Sequence, residues 1–213
     1  MTLTGVHNGV RHLRPILFAL SVLTVLTVLT VLPVQAQESA PAPAKGPPTA
    51  RFDNGPEVGQ RPRDFSLPWV SQEGIGQQWF SLTGQQGSVV VLLFYPLDFT
   101  PTCTVEMKTL SEQYDSLFPK GVVVAAISAD SLDTHLRYAQ SIGIQFKLLS
   151  DVSQSVSRQF SSADQGGYNF TTAFVINRKG VVTYRDLEFN ARKTKSYQQL
   201  KKAVAAALAD TRS

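Results

Sequence analysis

The chain has 213 residues, 20 Lys+Arg against 16 Asp+Glu, a formal net charge of +4, 43% hydrophobic content and one cysteine. That hydrophobic share excludes a disordered or collagen-like chain, and so mild a positive balance gives no argument for nucleic acid as a partner. The lone Cys103 excludes an intramolecular disulfide framework, a CxxC redox pair, a Cys-rich zinc knuckle and an iron–sulfur cluster held by one chain.

In chain order, residues 1–36 carry Arg11 and Arg14, no acid, and an apolar run from Ile16 to Leu32 that Pro33 ends. A positive start, an apolar middle and small residues up to Ala36 read as a secretory signal, with export to the periplasm or another extracytoplasmic space. The alternative is an uncleaved membrane anchor, although the run spans only about 26 Å as a helix against a hydrocarbon core of about 30 Å. Membrane contact is expected only through this segment. Cleavage would remove two of the 20 basic residues and leave 18 against 16, a balance of +2. Residues 37–56 (QESAPAPAKGPPTARFDNGP) are rich in Pro and Ala without apolar periodicity, the composition of a flexible arm. The folded domain is expected over residues 57–213.

Inside it the apolar pattern alternates between strand and helix. Ser88–Tyr95 (SVVVLLFY) is continuous, as in a strand covered on both faces. Met107, Leu110, Tyr114 and Leu117 form a helical stripe within 103–118, and Val122–Ile127 is a second buried strand. A helix over 133–142, a strand over 146–149 and a short helix over 152–160 follow. Strands 172–176 and 181–184 flank the turn Asn177-Arg178-Lys179-Gly180. The chain closes with a helix on Tyr197, Leu200, Val204 and Leu208. This order implies an α/β domain, a mixed central sheet flanked by helices on both faces, in the thioredoxin-like arrangement.

Cys103 falls where a Pro-punctuated loop after a buried strand gives way to a helix. The first turn of a helix offers unpaired N–H groups and the positive end of the dipole, which stabilises a thiolate. Thr100, three residues before, can turn its hydroxyl toward the sulfur and toward an incoming oxygen. The alternative for a lone cysteine is a small buried hydrophobe.

The string Pro96-Leu97-Asp98-Phe99-Thr100-Pro101-Thr102-Cys103, with Glu106 beyond it, resembles the active-site loop of the peroxiredoxin (AhpC/TSA) family. Val58-Gly59, the stretch Pro62–Leu67, Ile127–Ser131 with His135, and Phe146–Asp151 are similar to further segments of that family, closest to its bacterioferritin-comigratory-protein (PrxQ-like) branch. The resemblance implies a thiol-dependent peroxidase that reduces hydrogen peroxide and small alkyl hydroperoxides through a cysteine sulfenic acid. In it Cys103 attacks, Thr100 orients the peroxide, Pro96 shields the sulfenic acid, and backbone amides near Cys103 meet the developing charge.

Two departures stand out. Lys108 occupies the place where the branch often carries a resolving cysteine, so a one-cysteine enzyme reduced by an external thiol or thioredoxin-like protein is implied. Thr171 occupies the place of the family's usual Arg, a loss that should raise the Cys103 pKa, and Arg192 is the candidate to compensate, with Glu106 a second supporting residue. For Arg192 the alternative is a solvated basic cluster with Lys193 and Lys195. A second function, motivated by Thr171, is a catalytically weakened thioredoxin-fold sensor or binding module. His135 reads as structural or surface, on the polar side of its helix. No cofactor or metal is expected, and monomer and homodimer both stay open.

Overall fold

The computed structural model describes residues 53–210, so the expected signal segment, most of the expected arm and the last three residues lie outside the described residues. Strands β1 (Ser66–Leu67), β2 (Trp69–Ser71), β3 (Gly74–Ile75) and β4 (Phe80–Ser81) come first, then β5 (Val89–Phe94). Helices α1 (Pro101–Glu112) and α2 (Tyr114–Leu117) lead to β6 (Val122–Ser128), α3 (Leu132–Ile142), β7 (Lys147–Ser150) and α4 (Ser155–Gln159). The chain continues through β8 (Thr172–Ile176) and β9 (Val182–Asp186) to α5 (Thr194–Ala209).

Seven strands form one sheet in the order β3-β2-β7-β6-β5-β8-β9, and β1 pairs with β4 in a separate ribbon. The centre, β5 with β6 and β6 with β7, is parallel. Its flanks, β2 with β7 and β8 with β5 and β9, are antiparallel. This is the expected mixed α/β sheet.

All six residues of β5 are buried because side chains alternate between two covered faces. Val89, Val91 and Leu93 meet Met107 and Leu110 of α1, Tyr138 of α3, and Leu200 and Val204 of α5. Val90, Leu92 and Phe94 meet Phe160, Phe174, Phe65 and Phe80. Burying each such side chain fully stabilises the fold by about 1.5–3 kcal/mol. The faces are shared unequally: α1, α3 and α5 cover the first, whereas α4, Phe160 and the β1–β4 ribbon cover the second.

Three departures from the sequence reading have local causes. The stripe over 103–118 is two helices, because the chain bends at Gln113 (φ −106, ψ 16). Beyond that bend the Tyr114 ring lies 5.4 Å from Phe118 and 6.4 Å from Phe146. Helix α4 begins at Ser155, later than expected, because Gln154 takes a left-handed φ of 54 and the Asp151 carboxylate accepts from the Ser157 amide. Asp53–Pro56, read as the end of the arm, is tied to the domain: Gly55 and Pro56 are buried, the Asn54 amide donates to Ser161 Oγ at 3.0 Å, and Arg185 pairs with Asp53 and Glu57.

Candidate active site

The site grows from the C-terminal end of β5. The Tyr95 amide donates to Ile127 O at 3.1 Å, and then Pro96, which has no N–H, ends the ladder. The chain turns through Asp98 and Phe99, and Phe99 adopts φ 56, an uncommon conformation for a non-glycine residue. Thr100 returns to extended geometry as the N-cap of α1, with Pro101 at the first helical position. Pro96, Thr100 and Cys103 thus sit in one short loop and the helix turn after it.

Cys103 is 3% exposed and points into the core cluster with Met107 and Leu110. Its amide donates to Thr100 Oγ1 at 3.4 Å, and that hydroxyl donates to Leu97 O at 3.2 Å. Sequence position alone implied a lowered thiol pKa, and the structure corrects this. Burial pushes the Cys103 thiol up, hydrogen bonding from Thr100 and the Leu97 backbone pulls it down, and the charges of Glu106 and Asp98 add to the rise. Desolvation outweighs the two hydrogen bonds.

Glu106 lies one turn beyond Cys103 and is itself 3% exposed. Its burial raises the carboxyl pKa, while the Arg192 charge and a hydrogen bond from the Ala191 backbone lower it. Arg192 is exposed beside the equally exposed Lys193 and Lys195, and its amide donates to Asn190 Oδ1 at 3.0 Å. Its charge therefore acts on Glu106, one residue removed from the sulfur. Thr171 is half-buried directly before β8, and the Phe94–Thr172 pairing sets it alongside the end of β5.

A set of residues that the sequence reading left unassigned surrounds the loop. His135 is fully buried, not on a polar helix side, with Nδ1 2.7 Å from Asp98 Oδ2 and Nε2 3.2 Å from Leu149 O. The Tyr95 hydroxyl donates to Asp98 Oδ1 at 2.7 Å, and the Asp98 amide donates to Asp130 Oδ2 at 2.9 Å. That oxygen also accepts from Ser128 Oγ at 2.6 Å. Burial raises Asp130 and pushes Tyr95 well above the usual tyrosine range, so the phenol keeps its proton. The signal was present: His135, Tyr138, Ala139 and Ile142 stand at i, i+3, i+4 and i+7, the spacing of a buried face.

Asp98, Asp130 and His135 bring three ligand-capable atoms within 4.8 Å of one another. Each of these groups already holds hydrogen-bond partners, so the chemistry of the cluster is that of a closed polar network.

The chain matches the AhpC/TSA family over residues 58–185. It is 35% identical over 134 residues to a Coxiella burnetii protein named for the bcp peroxiredoxins, covering 60% of this chain and 85% of that one. It is also 35% identical over 121 residues to the thioredoxin peroxidase of Fasciola hepatica, covering 52% of this chain and 62% of the relative. Among solved structures, the reduced 2-Cys peroxiredoxin of Plasmodium vivax superposes with a TM-score of 0.61 at 27% identity, covering 70% of this chain and 96% of that one.

Proposed function

The chain belongs to the AhpC/TSA family and is a thiol-dependent peroxidase, and from that premise we propose that Cys103 is its peroxide-attacking residue. The proposed substrates are hydrogen peroxide and small alkyl hydroperoxides. The observation that carries this reading is the placement of Cys103 in the first turn of α1 behind the Thr100 cap.

The Cys103 thiolate attacks the terminal peroxide oxygen. A sulfur–oxygen bond forms, the oxygen–oxygen bond breaks, and the leaving oxygen takes a proton to depart as water or alcohol. Sulfur is oxidised to a sulfenic acid. Thr100 has one hydroxyl proton, held by Leu97 O at rest. Turning that proton toward the peroxide or the sulfur steadies charge as it forms. Pro96 is the residue proposed to shield the sulfenic acid from further oxidation. The Glu106 charge reaches the sulfur directly, and Arg192 acts at one remove, through Glu106.

No second cysteine exists in the chain, so recovery uses an external thiol. One thiol displaces water from the sulfenic acid to give a mixed disulfide, and a second releases Cys103 with a disulfide as product. Family membership favours this enzyme over a sensor or binding module. The test is peroxide consumption with dithiothreitol, alongside mass spectrometry with a sulfenate trap. Sustained turnover, a trapped adduct on Cys103 and no turnover in Cys103→Ser are expected. An inert wild type under conditions that oxidise a peroxiredoxin control would overturn the assignment.

A further inference from the structure

We propose that His135 is a positioning residue for the peroxidase reaction: by holding Asp98 it fixes the turn that sets Thr100 against Cys103. The inference rests on the assignment of Cys103 and Thr100 given above.

The turn needs an external hold. Between the end of β5 and the start of α1 the backbone passes through Phe99 at φ 56, which costs on the order of 1 kcal/mol and persists only where its surroundings impose it. Helix α3 supplies the surroundings. His135 and Tyr138, three residues apart, face the loop from the same side of that helix. The Tyr138 ring meets the Phe99 ring edge-on at 5.1 Å between centroids, and its hydroxyl donates to Thr104 Oγ1 at 3.4 Å. His135 takes hold of Asp98 at 2.7 Å. The grip therefore falls at Asp98, Phe99 and Thr104, on both sides of Thr100 and Cys103.

The hydrogen-bond pattern shows why a histidine is needed. The Leu149 carbonyl only accepts, so Nε2 carries a hydrogen and anchors the ring to β7. Nδ1 then meets Asp98 Oδ2 across a short bond that one proton must bridge. Asp98 is already bound at its other oxygen by Tyr95 and through its own amide by Asp130. Two residues on, Thr100 Oγ1 donates to Leu97 O at 3.2 Å and accepts from the Cys103 amide at 3.4 Å, both longer than the bonds at Asp98. The firm end of the turn is Asp98, and its looser end is where the peroxide must be met.

Two variants of one residue separate positioning from bulk stability. Asparagine places its amide near Nδ1, so His135→Asn keeps a donor for Asp98 and loses the Leu149 carbonyl. Glutamine reaches the place of Nε2, so His135→Gln keeps Leu149 and loses Asp98. Each forfeits one buried hydrogen bond, and thermal midpoints should fall alike. Rates should not. Stopped-flow oxidation of Cys103 by hydrogen peroxide in the full chain should stay within about threefold of wild type for Asn and fall at least about tenfold for Gln, since small misplacements of a reacting group cost that much. In a Thr100→Ala background the Asn–Gln difference should vanish. Equal rates for the two variants, or a difference that persists without Thr100, overturn the proposal. Should both variants fail to fold, Tyr95→Phe removes the other donor to Asp98: a slowed oxidation in a folded protein supports the proposal and an unchanged one overturns it. A wild type that does not oxidise at Cys103 fells the functional assignment and this inference together, whereas equal variant rates in an active protein fell only the inference.

Discussion

At Cys103 two local forces oppose one another. The helix start and Thr100 favour the thiolate, while burial and the neighbouring carboxylates of Glu106 and Asp98 favour the thiol. The net rise has a sign consequence. The fold prefers the protonated sulfur, so the stability this site adds is complete below the ordinary thiol range and is lost as pH rises through the raised value. Removing one opposing charge should move the balance back. In Glu106→Gln the Cys103 titration, followed by thiolate absorbance in the ultraviolet, is expected to shift to lower pH and peroxide oxidation at neutral pH to accelerate. A midpoint that stays put or rises would show that Glu106 exerts no charge on the sulfur. The placement of Thr100 and Cys103 at a helix start was legible in the sequence because capping is local: it needs only Thr100, Pro101 and their spacing. The direction of the thiol shift was not legible, because it depends on what Met107, Leu110 and distant strands exclude from the sulfur. His135 was misplaced for a related reason. A histidine reads as polar until the partner that satisfies it, here Asp98 37 positions earlier, is in view.

Among the elements, α3 does the most for the site relative to its length. Ser131 accepts from the Thr134 amide at its start, and Gly143 closes it in the left-handed conformation at φ 64. A Cβ at Gly143 would come no nearer than 4.0 Å to its closest neighbour, Gln72 Oε1, so substitution there costs backbone strain alone. Gly143→Ala should therefore lower unfolding free energy by about 1–2 kcal/mol in a urea titration with an unchanged slope. A neutral outcome would mean that the helix end relaxes. The longer elements, β5, β6, β8 and α5, were all legible, since each carries a full period of apolar residues. Strands of two or three residues, β1 to β4, carry none and escaped notice. The division at Gln113 escaped as well, because the apolar spacing continues through it and only the packing of Tyr114 against Phe118 and Phe146 reveals the change of direction.

For the whole molecule, the two-faced sheet means that the proposed attacking sulfur belongs to the same cluster that holds the domain together. Cys103 packs with Val91, Leu93, Met107 and Tyr138, at a site that leaves it 3% exposed. Adding an oxygen to that sulfur enlarges a side chain in a close-packed interior, a change of the kind that costs about 1–3 kcal/mol when made by substitution. The oxidised protein should accordingly melt at a lower temperature than the reduced one, and the difference should disappear on treatment with dithiothreitol and be absent in Cys103→Ser. Identical melting curves would show that the sulfur leaves the core before or upon oxidation. On the proposed cycle, each oxidation would be a mutation of the interior that the reductant reverts, and a molecule waiting for its reductant would spend that interval as a weakened variant of itself.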